Sequence, residues 1–442
     1  MISARVSVYV FLLLLLSWAA GNVDAALEFY WREHSNDPDL VVSLKPLWKH
    51  VFNSLLESIE DYEFRTSVRE KIANGMHEKG SDKIISYCDL SFVTCDFTDI
   101  VALTLVGMEN GKVNFNRLPN TLQKLIVSRS ILDQMMNVSG LPPVLESIEF
   151  DHVQFENGDA EVSSSLANLK EFKCTYCGIK SLTFQAVEGI QNMILDGTML
   201  TDLPSNLPQS LETLSMRGCS ITAPLREIMA RLPPNLHSID ISNTGITGMV
   251  NGLRLMPRQL KKLIIDGNSI NDSIESLSDA FEHHGGSLER FSASGCKLRG
   301  TLKGLENMKT LKSLDLSNNQ IEMVVWKELP SNLDFLNLSH NTLTGEVPLT
   351  EITRALKELN ISHNKLSGNF WIPGLPPEIQ TIDISYNQFT GDVSLEKLPE
   401  SIRFVYIQHN MFQGTPNLVE LPVQLRHILI HNNNWDSLLP AL

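Results

Sequence analysis

One short pattern recurs along most of this chain and constrains its fold more than any other feature. Residues 311–321 read L-K-S-L-D-L-S-N-N-Q-I, which fits the pattern L-x-x-L-x-L-x-x-N-x-L. With the first apolar residue of each copy counted as position 0, the copies start at Ile100, Leu122, Leu145, Leu169, Ile190, Leu211, Leu236, Leu260, Leu288, Leu311, Leu333, Leu356, Ile379, Ile402 and Leu425. These fifteen starts lie 21 to 28 residues apart. Because one such unit cannot bury its own apolar residues, the period predicts a stack of units.

The repeats resemble those of the leucine-rich-repeat family over about three-quarters of the chain. The resemblance implies an α/β fold, a horseshoe-shaped solenoid with a parallel β-sheet on its concave side. Residues 343–348 read L-T-G-E-V-P, which resembles the N-x-L-x-G-x-I-P extension of plant-type extracellular repeats. The glycine of this extension recurs at position 12 in Gly248, Gly300, Gly345, Gly368, Gly391 and Gly414. Leu-Pro pairs before many strands resemble the surface leucine-rich-repeat proteins of kinetoplastid protozoa equally well.

The chain begins with a predicted secretory signal peptide, residues 1–25. Arg5 precedes an apolar run over residues 6–20, and small residues stand before the expected cut at Ala26. The run is shorter than the ~20 residues that span a bilayer, so an uncleaved anchor is the weaker alternative. We therefore expect a secreted protein, or one on the extracellular surface.

Residues 26–99 are predicted to form a helical N-terminal cap, and residues 100–442 a solenoid of about fifteen units. Apolar residues between Leu44 and Ile59 follow helical spacing, which suits a segment that covers the first repeat. A separate binding role for these helices is the alternative. Cys88 and Cys95 resemble the C-x6-C cap of the plant-type proteins, and this resemblance implies a disulfide between them.

The other four cysteines fall at repeat positions. Position 8 is the asparagine position, and Cys177, Cys219 and Cys296 occupy it in their repeats. Cys174 takes position 5, which belongs to the core. We therefore interpret Cys174 and Cys177 as two buried structural thiols, against the alternative of a redox C-x-x-C motif.

The resemblance places side chains at positions 2, 4, 6 and 7 on the concave face, where family members usually bind. An aromatic patch near the C-terminal end is the predicted contact site: Phe335, Phe404, Tyr406, His427 and Leu429. A discontinuous acidic strip includes Asp240, Asp315 and Asp383 at position 4, with Asp151, Asp196 and Asp266 at position 6. This strip is either a solvated face or a site for a basic peptide or calcium.

Four ring-bearing residues align at position 7: His340, His363, Tyr386 and His409. They suggest a metal site or a pH-sensing ladder, although the phrase L-S-H-N is also ordinary repeat sequence. Sequons for N-glycosylation occur at Asn137, Asn271, Asn337 and Asn360. The last two take position 4, so glycans there would keep a partner from lying flat on their repeats.

Composition limits the function classes. The formal net charge of −15 is unchanged by removal of residues 1–25, which carry Arg5 and Asp24, and it argues against nucleic-acid and anionic-membrane partners. The common catalytic motifs are missing from the sequence, so we expect neither enzyme activity nor a cofactor. We expect no membrane insertion after signal cleavage.

The sequence therefore predicts a non-enzymatic recognition module, secreted or on the cell surface, that binds protein or glycan through the concave face. Two alternatives remain open at this point. One is a structural, self-assembling surface coat protein, and the other is an inhibitor of a secreted hydrolase.

Overall fold

The computed structural model describes residues 93–436, apart from 97–98, 107–108, 112–117, 133–135, 138–139, 164–165, 283–285 and 419. The predicted signal peptide, the predicted cap helices and Cys88 lie outside the described residues, so these features stay predictions. Two compact units divide the chain. The first is Met1–Met193 with Pro204–Pro208, and the second is Ile194–Leu203 with Gln209–Leu442.

The first unit contains two sheets. Its strands are β1 (Val93–Asp96), β2 (Asp99–Val106), β3 (Glu109–Gly111), β4 (Lys124–Leu132), β5 (Met136–Asn137), β6 (Ser147–Phe155), β7 (Asp159–Ser163), β8 (Glu171–Thr175) and β9 (Ser181–Gln185). In the larger sheet β1 is antiparallel to β2, whereas β2, β4, β6 and β8 are parallel neighbours, and β3 pairs with β4. The smaller sheet joins β5, β7 and β9 in parallel. Strand β10 (Asn192–Ile194) spans the boundary between the units in the sequence.

The second unit contains a long parallel array of strands, called the main sheet below, and several shorter strands outside it. Its strands are β11 (Thr213–Ser215), β12 (Ser238–Asp240), β13 (Lys262–Ile264), β14 (Arg290–Ser292), β15 (Arg299–Leu302), β16 (Ser313–Asp315), β17 (Gln320–Val324), β18 (Phe335–Asn337), β19 (Thr344–Gly345), β20 (Glu358–Asn360), β21 (Lys365–Asn369), β22 (Thr381–Asp383), β23 (Gln388–Thr390), β24 (Phe404–Tyr406) and β25 (His427–Leu429). The main sheet runs β11-β12-β13-β14-β16-β18-β20-β22-β24-β25, every neighbouring pair parallel. Two short helices are α1 (Leu225–Arg231) and α2 (Ser276–Glu282). Turns of 3₁₀ helix span Val250–Leu255, Trp326–Glu328, Ile372–Gly374 and Leu395–Lys397.

The main-sheet strands are short, and all but β14 and β25 present the same alternation. In β16 the side chain of Leu314 is buried, while Ser313 and Asp315 on either side are half-buried. Leu314 pairs in register with Phe291 on one neighbour and Leu336 on the other. This constant register places the buried side chains of neighbouring strands over one another in a continuous apolar stack. Each fully buried leucine in it contributes roughly 1.5–3 kcal/mol to the stability of the fold.

A buried asparagine at position 8 closes the turn after a strand. The Nδ2 group of Asn341 donates to the carbonyl oxygens of Leu316 and Leu338, both at 3.0 Å. Its Oδ1 accepts from the backbone N–H of Ile321 at 3.0 Å. In Cys296, at the same position, the thiol donates to the carbonyl oxygen of Ile265 at 3.1 Å. A cysteine therefore supplies the donor of this position but no amide oxygen.

The prediction of two separate thiols at Cys174 and Cys177 is wrong, because the structure joins them in a disulfide. Both side chains are buried, as their repeat positions predicted. The residue before Cys177, Tyr176, takes a left-handed φ of 52°, which turns the chain back so that the two Cα atoms lie 5.7 Å apart. That separation is typical of a disulfide.

The glycines at position 12 build a second layer of short strands. Strands β19, β21 and β23 pair in parallel, away from the main sheet, and β15 pairs with β17 in the same way. Gly391 has a φ of 94°, and a Cβ there would lie 2.6 Å from Oδ1 of Asn369. Only glycine fits such a position, which explains the recurring residue in the plant-type extension.

Candidate functional site

We call the surface lined by positions 2, 4 and 6 of the repeats in the second unit the open face. Most side chains at positions 2 and 4 are half-buried, and most at position 6 are buried. Position 2 begins each strand, and position 4 ends it two residues later on the same side of the sheet. Position 3, between them, is buried in every main-sheet strand except the last, β25. The parallel register therefore arranges equivalent open-face residues in columns, with neighbouring strands ~4.8 Å apart.

Four of the five residues in the predicted aromatic patch lie together. Phe404 pairs with His427, and Tyr406 pairs with Leu429, across the last two strands. The ring centroids of Tyr406 and His427 are 5.6 Å apart, with the planes tilted by 51°. We call these four residues the end cluster. All are half-buried except His427, which is exposed.

Phe335 does not belong to this cluster. It lies in β18, three strands from β24, and its neighbours across the sheet are Ser313 and Glu358. Three strand spacings amount to roughly 14 Å. The predicted five-residue patch was therefore too wide, since repeat positions count residues along the chain and not contacts between side chains.

The position-4 aspartates are held by their own repeats. Oδ1 of Asp383 accepts from the hydroxyl of Ser385 at 2.6 Å and from the Ser385 backbone N–H at 3.1 Å. Serines two residues on hold Asp240 and Asp315 in the same way. These carboxylates are thereby fixed in orientation, which favours ligand contact without reordering.

Asp266, at position 6 of the acidic strip, is electrostatically distinct from the position-4 aspartates. Oδ1 of Asp266 accepts from the hydroxyl of Ser292 at 2.6 Å. Burial raises the pKa of Asp266, and the charges of Asp315 and Asp240 raise it further. Among the described residues, no group of three or more His, Cys, Asp or Glu side chains is placed to hold a metal ion. The calcium alternative therefore lacks support in this part of the chain.

The four rings at position 7 form a stacked ladder. His340–His363, His363–Tyr386 and Tyr386–His409 each have ring centroids 4.1 Å apart and planes within 13° of parallel. All four residues have a left-handed φ of 53° to 57°, so their side chains leave the backbone in the same direction. In parallel rings the in-plane nitrogen lone pairs cannot converge on one ion, so this geometry does not suit chelation.

The predicted sequons differ in their surroundings. Asn337 and Asn360 end strands β18 and β20, are half-buried, and accept hydrogen bonds from Ser339 and Ser362. Asn271 is exposed, and its Oδ1 accepts from Arg299 at 3.0 Å. Asn137 ends β5, where it pairs with Glu161. Their glycosylation stays a prediction.

One residue of the site was not predicted from the sequence. Gln408 takes position 6 next to the end cluster, is only 9% exposed, and its Oε1 has no hydrogen-bond partner. Position 6 in the four preceding repeats is serine: Ser317, Ser339, Ser362 and Ser385. The change from serine to glutamine at this position is the sequence feature that could have identified Gln408.

Models of the family described as "Leucine Rich repeat" match residues 307–322 and 355–375. Receptor-like protein 7 of Arabidopsis thaliana is 26% identical over 144 residues, covering 27% of this chain and 14% of that protein. Oligodendrocyte-myelin glycoprotein of Homo sapiens is 26% identical over 156 residues, covering 35% of this chain and 33% of that protein. The chain thus spans a third or less of the length of these curated relatives.

A solved structure of a TDR receptor matches with a TM-score of 0.52 at 20% identity, covering 76% of this chain and 64% of that one. At this identity the match concerns the fold alone. In the part of the chain that the structure describes, no helix has the length and apolar character needed to cross a bilayer. The repeat models, the relatives and the stacked parallel strands with their glycine-bearing extension agree: the chain carries leucine-rich repeats, similar to those of the plant extracellular type.

Proposed function

We propose that this protein is a non-enzymatic recognition module that works outside the cell, secreted or at its surface. Its open face binds a protein or peptide ligand, and the end cluster is the anchor. The names of the two relatives, a receptor-like protein and a myelin glycoprotein, support an extracellular binding role. The predicted signal peptide is consistent with the same location.

The observation that carries the proposal is the end cluster itself. Phe404 and Tyr406 are half-buried aromatic residues on a sheet face where most equivalent positions are polar or charged. Tyrosine is enriched among residues that dominate binding energy, because it offers apolar area and a hydroxyl with little conformational entropy to lose. Rigid strands on either side hold the rings in place before a ligand arrives.

The test begins with ligands selected from a random dodecapeptide phage library on the purified chain. Their Kd is then measured by biolayer interferometry for the wild type and for the double variant Phe404→Ala, Tyr406→Ala. We expect the double variant to bind at least tenfold more weakly, about 1.4 kcal/mol or more. Phe335→Ala, on the same face but three strands away, is the matched control, with a change under twofold.

Equal losses in the two variants would show that the open face binds without an anchor at the end cluster. Unchanged binding in both would place the site elsewhere and contradict the proposal. Secretion has its own measurement, since the protein in culture medium should begin at Ala26 by mass spectrometry.

A further inference from the structure

The unpaired oxygen of Gln408 lies among open-face residues at the C-terminal end of the main sheet. The backbone N–H of Tyr386 donates to the carbonyl oxygen of Gln408, and the N–H of His409 donates to that of His431, both at 3.1 Å. These bonds continue the strand register beyond β24 and place Gln408 beside Ser385 and His431. By strand alternation its side chain points to the same face as Tyr406.

The neighbours that could satisfy Gln408 are already engaged or absent. The hydroxyl of Ser385 is donated to Asp383, so it does not reach the Gln408 amide. In the earlier repeats a short serine at this position bonds to the position-4 residue of its own strand. Gln408 follows Tyr406, which offers no such acceptor. A buried amide oxygen without a donor is unfavourable, and such groups often mark where a ligand supplies the missing partner.

A second acceptor lies on the other side of Tyr406. Asp383 pairs with Tyr406 across β22 and β24, and among the described residues its Oδ2 accepts no hydrogen bond. Asp315 differs, because its Oδ2 accepts from Nδ2 of Asn337 on the next strand at 3.1 Å. The neighbour of Asp383 on the next strand is Tyr406 and not an asparagine. Oδ2 of Asp383 is therefore a free, oriented and charged acceptor.

We propose that Asp383, Tyr406 and Gln408 form a subsite for the guanidinium group of an arginine in a peptide ligand. The proposal rests on the proposed function and specifies the ligand chemistry. A guanidinium carries five donors in a rigid plane, which suits two oxygen acceptors, and it stacks on aromatic rings. The net charge of −15 favours a cationic ligand.

The spacing of the acceptors fits this ligand. Asp383 and Tyr406 are one strand spacing apart, ~4.8 Å, and Tyr406 and Gln408 are two residues apart along the chain, roughly 7 Å. One planar group over the tyrosine ring can thus donate in both directions. Oε1 of Gln408 is buried, so a guanidinium reaches it by displacing a neighbouring side chain such as the exposed His431.

The experiment compares three probes by saturation-transfer NMR with titration to a Kd on the full chain. They are acetyl-Gly-Arg-Gly-amide, its lysine analogue and its citrulline analogue, which keeps the shape of arginine but has no charge. We expect the arginine probe to bind at least tenfold more tightly than the citrulline probe and measurably more tightly than the lysine probe.

Two variants locate the binding. Asp383→Asn removes the charge but keeps the serine bonds, as Asn337 and Asn360 do at the same position, so it is compatible with the fold. Asp240→Asn is the matched control, because Asp240 has the same serine contact but pairs with Ile264 instead of a tyrosine. We expect at least a tenfold loss of arginine-probe binding in Asp383→Asn and under twofold in Asp240→Asn.

Gln408→Ser restores the serine of the preceding repeats and should weaken the arginine probe by at least threefold. Equal binding of arginine and citrulline probes, or equal effects of the two aspartate variants, would overturn the subsite. Preference for the lysine probe would also overturn it, in favour of a simple charge contact. If library peptides still depend on Tyr406 but not on arginine, the subsite fails while the proposed function stands.

Discussion

At the residue scale, position 7 combines an unusual backbone conformation with a ring. A left-handed φ is disfavoured for side chains other than glycine and asparagine, yet His340, His363, Tyr386 and His409 all adopt it. The stacked rings contact their neighbours on both faces along the ladder. Stacking thus offers favourable contacts that offset the local backbone strain.

His363 should make the stability of the protein depend on pH. Partial burial of its ring between neighbours lowers its pKa, and the charge of His340 lowers it further. The unfolded chain therefore binds a proton more readily than the folded chain. The contribution of His363 is fully present above pH 6.5, the usual pKa, and is lost as the pH falls through the lowered folded value.

We expect His363→Tyr to lose less stability than the wild type between pH 7 and pH 5, measured by thermal denaturation followed by circular dichroism. Tyrosine already occupies this position as Tyr386, so the backbone accepts it. His427→Tyr, outside the ladder, should keep the slope of the wild type. If both variants flatten the profile equally, the ladder is not the origin of the effect.

At the element scale, stability depends on how each turn is closed between neighbouring strands. The amide of Asn341 bonds to two buried carbonyl oxygens and one N–H that belong to two consecutive repeats. The N–H of Ile321 has the Asn341 amide oxygen as its partner, and a buried backbone group without a partner is unfavourable. The asparagine therefore connects consecutive repeats as well as closing its own.

Replacing Asn341 should be strongly destabilising. We expect Asn341→Ala to lower the free energy of unfolding by about 2–4 kcal/mol, because it removes three buried hydrogen bonds and leaves the N–H of Ile321 unpaired. Asn341→Cys should lose less, since Cys219 and Cys296 serve at this position. Asn332→Ala removes one exposed hydrogen bond and should lose under ~1 kcal/mol. Urea denaturation distinguishes these cases, and similar losses for Ala at 341 and 332 would contradict the argument.

At the scale of the whole molecule, the excess of acidic side chains produces a net electrostatic repulsion that affects stability. The chain has 51 Asp and Glu side chains against 36 Lys and Arg side chains. Most described ion pairs join exposed groups. Exposed pairs contribute little, so the net repulsion of like charges remains as a destabilising component.

Salt should therefore stabilise the protein. Raising NaCl from 10 to 200 mM at pH 7 shortens the Debye length from ~30 Å to under ~10 Å, and we expect Tm to rise by about 2–4 °C. Sucrose at the same osmolality controls for effects other than screening. A Tm that falls with salt would show that attractive pairs outweigh the net charge.

The repeat pattern and its resemblance to leucine-rich repeats were together sufficient to predict the parallel strands and which residue of most strands is buried. These follow from local spacing, because Leu314 or Ile382 must face inward wherever the pattern recurs.

The tertiary structure alone decided which of these residues interact. Repeat positions placed Phe335 in the same class as Tyr406, and Cys174 in the same class as any core residue, but pairing depends on strand register and on the turn at Tyr176. The free Oδ2 of Asp383 and the unpaired Oε1 of Gln408 arise in the same way. Each depends on which side chain the neighbouring repeat presents a few ångströms away, and that distance exists only after the repeats have stacked.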